Sequence, residues 1–284
     1  SSRPTYTETE NDLTVKANKR TFIFSKKDGQ LKGVSVDNRK ISFANGPRFI
    51  GARRADRSLD QFYNHDDEKA KEKDRTYSEF PDAAVFTKLD VKEDGGNLVV
   101  TANYKLGNLD KAQWTINPSG DLALDYTYNF SGVVDLMGIR FDYPEDQVIS
   151  KRWLGAGPYR VWQNRIHGTQ YDVWENDYND PIPGETFTYP EFKGYFGDVS
   201  WMNIQTKEGT ISLTNETPDT YIGVYQPRDG RDRLLYTLPE SGISVLNVIP
   251  PVRNKVNSTD LCGPSSQPKW VNGPQTGRVI FRFM

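Results

Sequence analysis

Two successive runs of strict two-residue alternation constrain this chain more than anything else in it. Residues 97–106 place Leu98, Val100, Ala102 and Tyr104 on one side, and residues 121–130 do the same with Leu122, Leu124, Tyr126, Tyr128 and Phe130. Successive side chains of an extended backbone point to opposite faces, so each run has one apolar face and one polar face. That is the signature of an antiparallel sheet with one side in a core. Shorter strand signals recur at 13–17, 21–25, 31–36, 41–43, 84–92, 111–117, 199–204, 210–213, 221–225, 242–249 and 278–284. Turn formers such as Lys27-Asp28-Gly29, Asp37-Asn38, Gly95-Gly96 and Pro118-Ser119-Gly120 separate many of them. The expectation is an all-β fold, a large antiparallel β-sandwich, in which 1–284 form a single domain because no repeat or linker divides them.

The residue content agrees with sheets and excludes several functions. The chain holds 15 Tyr, 14 Phe and 6 Trp beside 23 Gly and 17 Pro, a mixture suited to strands and turns. Lys and Arg total 36 against 38 Asp and Glu, so no overall field favours nucleic acid or a membrane surface. No apolar run approaches a bilayer span. The start, Ser-Ser-Arg-Pro, lacks a signal core and an initiator Met and reads as a processed or excised terminus. One cysteine, Cys262, forbids an intramolecular disulfide, and with 2 His no metal-ligand spacing occurs, so neither metal nor cofactor is expected. The compartment stays open, with a periplasmic or extracellular setting slightly preferred. One segment breaks the pattern: residues 66–75 (DDEKAKEKDR) carry nine charges in ten positions and read as a solvated helix or excursion, with His65 at its edge.

The chemistry concentrates in residues 139–174. An alternating run leads into Trp153-Leu154-Gly155-Ala156-Gly157-Pro158, after which Tyr159, Arg160, Trp162, Asn164, Arg165 and His167 follow within nine residues. Glycine and proline break regular structure here. A stiff turn rich in aromatic, guanidinium and amide groups suits a polar, ring-shaped ligand, because aromatic faces stack on the ring while forked donors orient it. The competing reading is that these aromatics fill a β core. Trp153, at a strand end, is expected in the core. Trp162 and Arg160 are expected at the surface, and Arg165 is expected either to meet ligand or to brace the turn through Asp172 or Glu175.

This stretch resembles the motif W-x-G-x-G-P-x-E-x-Y-x-D-R in the C-terminal domain of family 2 β-galactosidases. Trp153, Gly155, Gly157, Pro158 and Arg165 match it, while Arg160, Trp162 and Asn164 replace its Glu, Tyr and Asp. Weaker likenesses cover most of the chain. Residues 51–57, with Arg54 and Asp56, align with a loop beside the active site. Tyr189-Pro190-Glu191 aligns with a Pro-x-Glu element, placing Glu191 and Lys193 on the same rim. Gly242, Leu246 and Asn247 match a "G-x-x-L-N-I" strand. The resemblance implies a galactose-mutarotase-like supersandwich that packs on a separate catalytic (β/α)8 barrel. Its carbohydrate-binding residues would be Arg160, Trp162, Asn164, Arg165, His167, Glu191, Arg54 and Asp56. Loss of the two carboxylates implies a different sugar preference.

Glycoside hydrolysis needs two carboxyl groups across the scissile bond, and in this family they sit on the barrel. A barrel needs alternating strands and helices over about 250 residues, which this chain lacks. The expected role is therefore a non-catalytic accessory domain with no catalytic residue of its own, its parent acting on O-glycosyl bonds. Two rivals remain at this level. One is a stand-alone carbohydrate-binding module using Trp153, Trp162 or Trp174 as a stacking platform. The other is an aldose 1-epimerase (mutarotase), which would need His65 or His167 paired with a Glu such as Glu175 or Glu191.

Overall fold

The computed structural model describes residues 2–54, 77–178, 193–225, 238–252 and 263–284. The charged run 66–75, His65, Asp56, Tyr189, Pro190, Glu191 and Cys262 lie outside the described residues. In chain order the strands are β1 (Thr5–Glu8), β2 (Asp12–Ala17), β3 (Arg20–Ser25), β4 (Leu31–Val36), β5 (Arg39–Ile41), β6 (Ala44–Arg54) and β7 (Tyr77–Glu79). They continue with β8 (Val85–Asp94), β9 (Asn97–Lys105), β10 (Leu109–Ile116), β11 (Leu122–Asn129), β12 (Gly132–Val134), β13 (Leu136–Asp142) and β14 (Val148–Gly157). The rest are β15 (Gln170–Asp177), β16 (Trp201–Thr206), β17 (Gly209–Asn215), β18 (Tyr221–Val224), β19 (Ile243–Val248), β20 (Lys269–Val271) and β21 (Pro274–Phe283).

They form a ten-stranded sheet, β1-β2-β3-β4-β6-β13-β19-β18 with β5 on β4 and β7 on β6. A nine-stranded sheet, β15-β14-β16-β17-β21-β11-β10-β9-β8, is the second layer. Residues from both sheets enter one continuous core, so the protein is an antiparallel β-sandwich. The alternation seen at 97–106 and 121–130 has the predicted phase: Leu98, Val100, Ala102, Leu122, Leu124, Tyr126 and Tyr128 are all buried. At its centre Phe43 stacks on Phe141 at 4.7 Å and meets Phe281 and Phe283 of the opposite sheet at 5.1 and 5.4 Å. Burying each such ring contributes about 1.5–3 kcal/mol, and the tilted contacts add to that.

Several boundaries differ from the sequence reading. The strand expected at 41–43 is divided, with Phe43 in the linker between β5 and β6. Strand β6 runs through Gly46-Pro47 and on to Arg54, where the resemblance implied a loop. Chain pairing with β13 across Leu136–Asp142 supplies the hydrogen bonds that hold it extended. β15 reaches Asp177 because β14 pairs with it throughout. Trp270 lies on β20, which forms a two-stranded ribbon with β12. The last strand, β21, lies between β17 and β11.

Around β6, β13 and β19 the ten-stranded sheet buries both of its faces. On β6 Phe49 points into the inter-sheet core, whereas Ile50 and Ala52 join a second cluster with Tyr77, Leu136, Leu246, Leu238, Ile249 and Val252. Val161, Trp162 and Tyr195 cap this second cluster. Near the other end of β13, Glu208 ties the two sheets. It sits between β16 and β17, and its carboxylate accepts from Ser42 N at 2.9 Å, Ser42 Oγ at 2.6 Å and Tyr143 OH at 2.8 Å.

Burial alone would raise the Glu208 pKa, but the Ser42 and Tyr143 hydrogen bonds and the Lys40 charge outweigh it and hold the carboxyl below its usual range. A carboxyl with a depressed folded pKa contributes stability above its unfolded pKa, and that contribution is lost as pH falls through the folded value. Denaturant unfolding of the wild type and Glu208→Gln should therefore differ most near neutrality. The two should converge as the medium is acidified below the ordinary carboxylate range. A gap that stays constant across this window contradicts the assignment.

Candidate functional site

The turn that follows β14 is built by close backbone approach. A Cβ on Gly157 would lie 2.3 Å from Trp174 Cδ1, so only glycine lets β14 pass that indole. The chain then bridges the segment 193–196: Val161 N donates to Tyr195 O and Tyr195 N to Val161 O, both at 2.7 Å. This contact requires Gly194, whose Cβ would fall 1.9 Å from Val161 O. Arg165 N donates to Trp162 O at 2.9 Å and closes the tip.

Two amides lock the turn to the 250–267 region. Asn164 Nδ2 donates to Val252 O at 2.8 Å, and Val252 N returns a bond to Asn164 Oδ1 at 2.9 Å. Gln163 Nε2 donates to Ser265 O and Gln267 O, each at 2.7 Å, and Gln163 N donates to Pro250 O at 3.0 Å. Asn164 thus has both ends of its amide engaged by backbone, which explains an Asn here without invoking ligand.

The expected surface positions of Arg160 and Trp162 are corrected: each is only 3 % exposed. Trp162 fills the second cluster, meeting the Tyr195 ring edge-on at 5.7 Å. The Arg160 guanidinium lies 5.8 Å from the centre of the Phe196 ring, over which Lys151 Nζ also lies at 5.8 Å. Trp153 is buried as expected, its Nε1 donating to Ala156 O at 2.9 Å and its ring meeting Phe196 edge-on at 4.8 Å. Trp174 is half-buried, with Nε1 donating to Gln170 O at 3.1 Å.

Arg165 and His167 do reach the surface at the tip. Among the described residues no ion pair joins Arg165 to Asp172 or Glu175. Arg54 is buried at the end of β6, its guanidinium 5.9 Å from the Tyr77 ring centre and its N donating to buried Asp135 at 2.8 Å. Tyr77 belongs to the same second cluster as Trp162. Lys193 is buried beside the bridge and does not stand on a rim. Asp56 and Glu191 lie outside the described residues.

Sequence reasoning missed Lys151, Asp135 and Tyr77. Lys151 had a readable signal: it lies two residues before Trp153 and so shares its inward face. The tip can offer donors and a half-buried aromatic, Tyr159, whose hydroxyl donates to His167 O at 3.4 Å. Among the described residues no group of three or more His, Cys, Asp or Glu is placed to hold a metal ion.

Because Trp162 is a core plug, Trp162→Ala should cost about 3–5 kcal/mol in unfolding free energy, the range for emptying a large buried aromatic site. Trp270→Ala, at a side chain 73 % exposed, should stay within about 0.5 kcal/mol of wild type. Equal effects in chemical denaturation would contradict the burial assigned to Trp162.

Among solved structures the chain is similar to galactose 1-epimerase from Lactobacillus acidophilus NCFM, at 8 % identity and TM-score 0.46, covering 100 % of this chain and 99 % of that one. It is also similar to ligand-free alpha-N-acetylgalactosaminidase from Bifidobacterium bifidum (12 % identity, TM-score 0.47), covering 95 % of this chain but 35 % of that one. A GalM/aldose epimerase homologue from C. elegans matches at 7 % identity and TM-score 0.37, with 99 % of both chains covered. No curated protein matches the sequence. The model of the beta galactosidase small chain family matches residues 16–250. By a match that spans most of its length, the chain belongs to the β-galactosidase small-chain family.

Proposed function

We propose that this chain is the non-catalytic accessory sandwich of a β-galactosidase-like glycoside hydrolase, and that its 157–167 turn borders a sugar pocket completed by a separate catalytic barrel. The carrying observation is the surface around that turn. Among the described residues β15 is the outermost strand of the nine-stranded sheet and pairs only with β14. It presents Tyr171, 59 % exposed, and Val173 beside the exposed Ile166, Arg165 and His167 of the tip. An unpaired strand edge with apolar side chains is a surface that another module covers. The tip itself is held by the Asn164 and Gln163 clamps, so its donors are pre-oriented for a ligand lodged against such a module. Burial of Arg160 and Trp162 moves the ligand-facing role to Tyr159, Arg165 and His167. Arg160, Trp162, Asn164 and Arg54 become its supports.

The mutarotase alternative has less to build on. His167 precedes β15, whereas Glu175 lies five residues along that strand, about 17 Å from its first residue at the rise of an antiparallel strand. Among the described residues no ion pair or hydrogen bond joins His167 to Glu175, and His65 and Glu191 lie outside them. A stand-alone binding module built on this turn would need an exposed indole there: Trp153 and Trp162 are buried and Trp174 is half-buried, while the exposed Trp270 lies on the β12–β20 ribbon.

The isolated chain should release no nitrophenol from nitrophenyl β-galactoside and should leave the rate of galactose mutarotation at its solvent value. Hydrolysis would place a catalytic carboxyl pair in this chain, and accelerated mutarotation would promote the epimerase alternative. Either result overturns the accessory role.

A further inference from the structure

The tripeptide Asn-Gly-Pro occurs twice in the chain, at residues 45–47 and 272–274. Asparagine is a chemically labile residue, and a following glycine exposes it most, because no Cβ stands between the next backbone N–H and the side-chain amide. The fold sets the two copies in opposite conditions. Gly46 is buried within β6, where a Cβ would stand 2.3 Å from Phe141 Cδ1 and 2.7 Å from Arg140 O of β13. Asn45 Nδ2 donates to Asp142 Oδ2 at 2.9 Å, which turns that amide toward a carboxylate. Closing a ring there would mean moving β6 against β13. Asn272, between β20 and β21, is exposed. Gly273 has φ +91° and no atom within 4 Å of the place a Cβ would take, so its peptide has room to turn.

Ser131, just before β12, stands between the two groups that would react. Its Oγ donates to Asn272 Oδ1 at 2.9 Å and accepts from Gly273 N at 3.2 Å. A hydroxyl holds one proton and two lone pairs, so it does both at once. The nitrogen that would attack and the oxygen of the amide it would attack therefore share one proton carrier, at distances from which acid–base catalysis works. Ser131 is itself exposed, so water reaches the same point.

We propose that Asn272-Gly273 is a self-modification site, at which the asparagine deamidates with Ser131 as proton relay. The Gly273 nitrogen bonds to Asn272 Cγ as its proton passes to Ser131 Oγ, and the Ser131 proton passes to Asn272 Oδ1. The neutral tetrahedral adduct then returns a proton from that oxygen, through water, to Nδ2, which leaves as ammonia. The product is a succinimide closed on the Gly273 nitrogen. Water opens it at either carbonyl to give aspartate or isoaspartate, and solvent water is the only co-reactant. Isoaspartate carries one more backbone carbon between β20 and β21, so it draws Gly273 N away from Ser131 and marks the β12–β20 ribbon irreversibly.

Peptide mass spectrometry of the purified chain, aged at neutral and mildly alkaline pH in isotopically labelled water, tests this directly. Asn272 should convert to the acid about tenfold faster than Asn45 or more, taking up solvent oxygen and giving isoaspartate at 272. This contrast needs no variant. Ser131→Ala should slow conversion at Asn272 about tenfold, a barrier about 1.4 kcal/mol higher, whereas Ser131→Thr keeps the hydroxyl and should stay near the wild-type rate. The pH profile separates the relay from a merely structural role of Ser131. Unassisted attack needs the amide anion, whose concentration rises about tenfold per pH unit, so Ser131→Ala should show that slope. The relay passes protons between neutral groups, so the wild type should show a shallower one. No conversion at Asn272, equal ageing at Asn45, a Ser131→Ala rate equal to or above wild type, or the same pH slope in both proteins overturns the proposal.

Discussion

Around β6, β13 and β19 the ten-stranded sheet has two faces to bury and, among the described residues, one partner sheet. Everything distinctive about this protein follows from that. Strand alternation sends Phe49 toward the nine-stranded sheet, and the same alternation sends Ile50 and Ala52 the other way. Apolar side chains on that outer face cannot be left to water, and no third sheet covers them. The turn after β14, the bridge at Tyr195 and the segment around Val252 do so instead. A segment that has to serve as a lid for a core is stiff by necessity, and stiffness is what a ligand-bordering loop needs.

That double duty explains the division of labour within the turn. Its large side chains face inward, with Trp162 on Tyr195 and Arg160 on Phe196. Its amides are spent on backbone partners at Val252, Ser265 and Gln267. What is left for the outside is the tip, with Arg165 and His167. The buried cations Lys151 and Arg160 share the Phe196 ring, an arrangement in which ring faces offset part of the cost of taking charge out of water.

Polar chemistry is distributed to the two ends of the same strands. At one end lies the Gly157–Pro158 turn. At the other, Glu208 gathers Ser42 and Tyr143 across the sandwich. Between them the strands are committed to packing. Strand ends are where the ladder stops satisfying the backbone and side chains are free to converge, so functional groups collect there.

Alternation along the chain by itself determined the fold class and the phase of β9 and β11, and the place of Trp153 at a strand end its core position. Period two is a local property that any neighbour reads in the same way. The family was also legible, through Trp153, Gly155, Gly157, Pro158 and Arg165, because glycines at close approaches and a buried indole tolerate few alternatives. Only the tertiary structure decided which residues of the turn face outward. Arg160 and Trp162 look like ligand groups in sequence, but a loop has no period from which a facing can be read. Their burial depends on a second core assembled from β6, β13, β19 and segments more than a hundred residues away from one another.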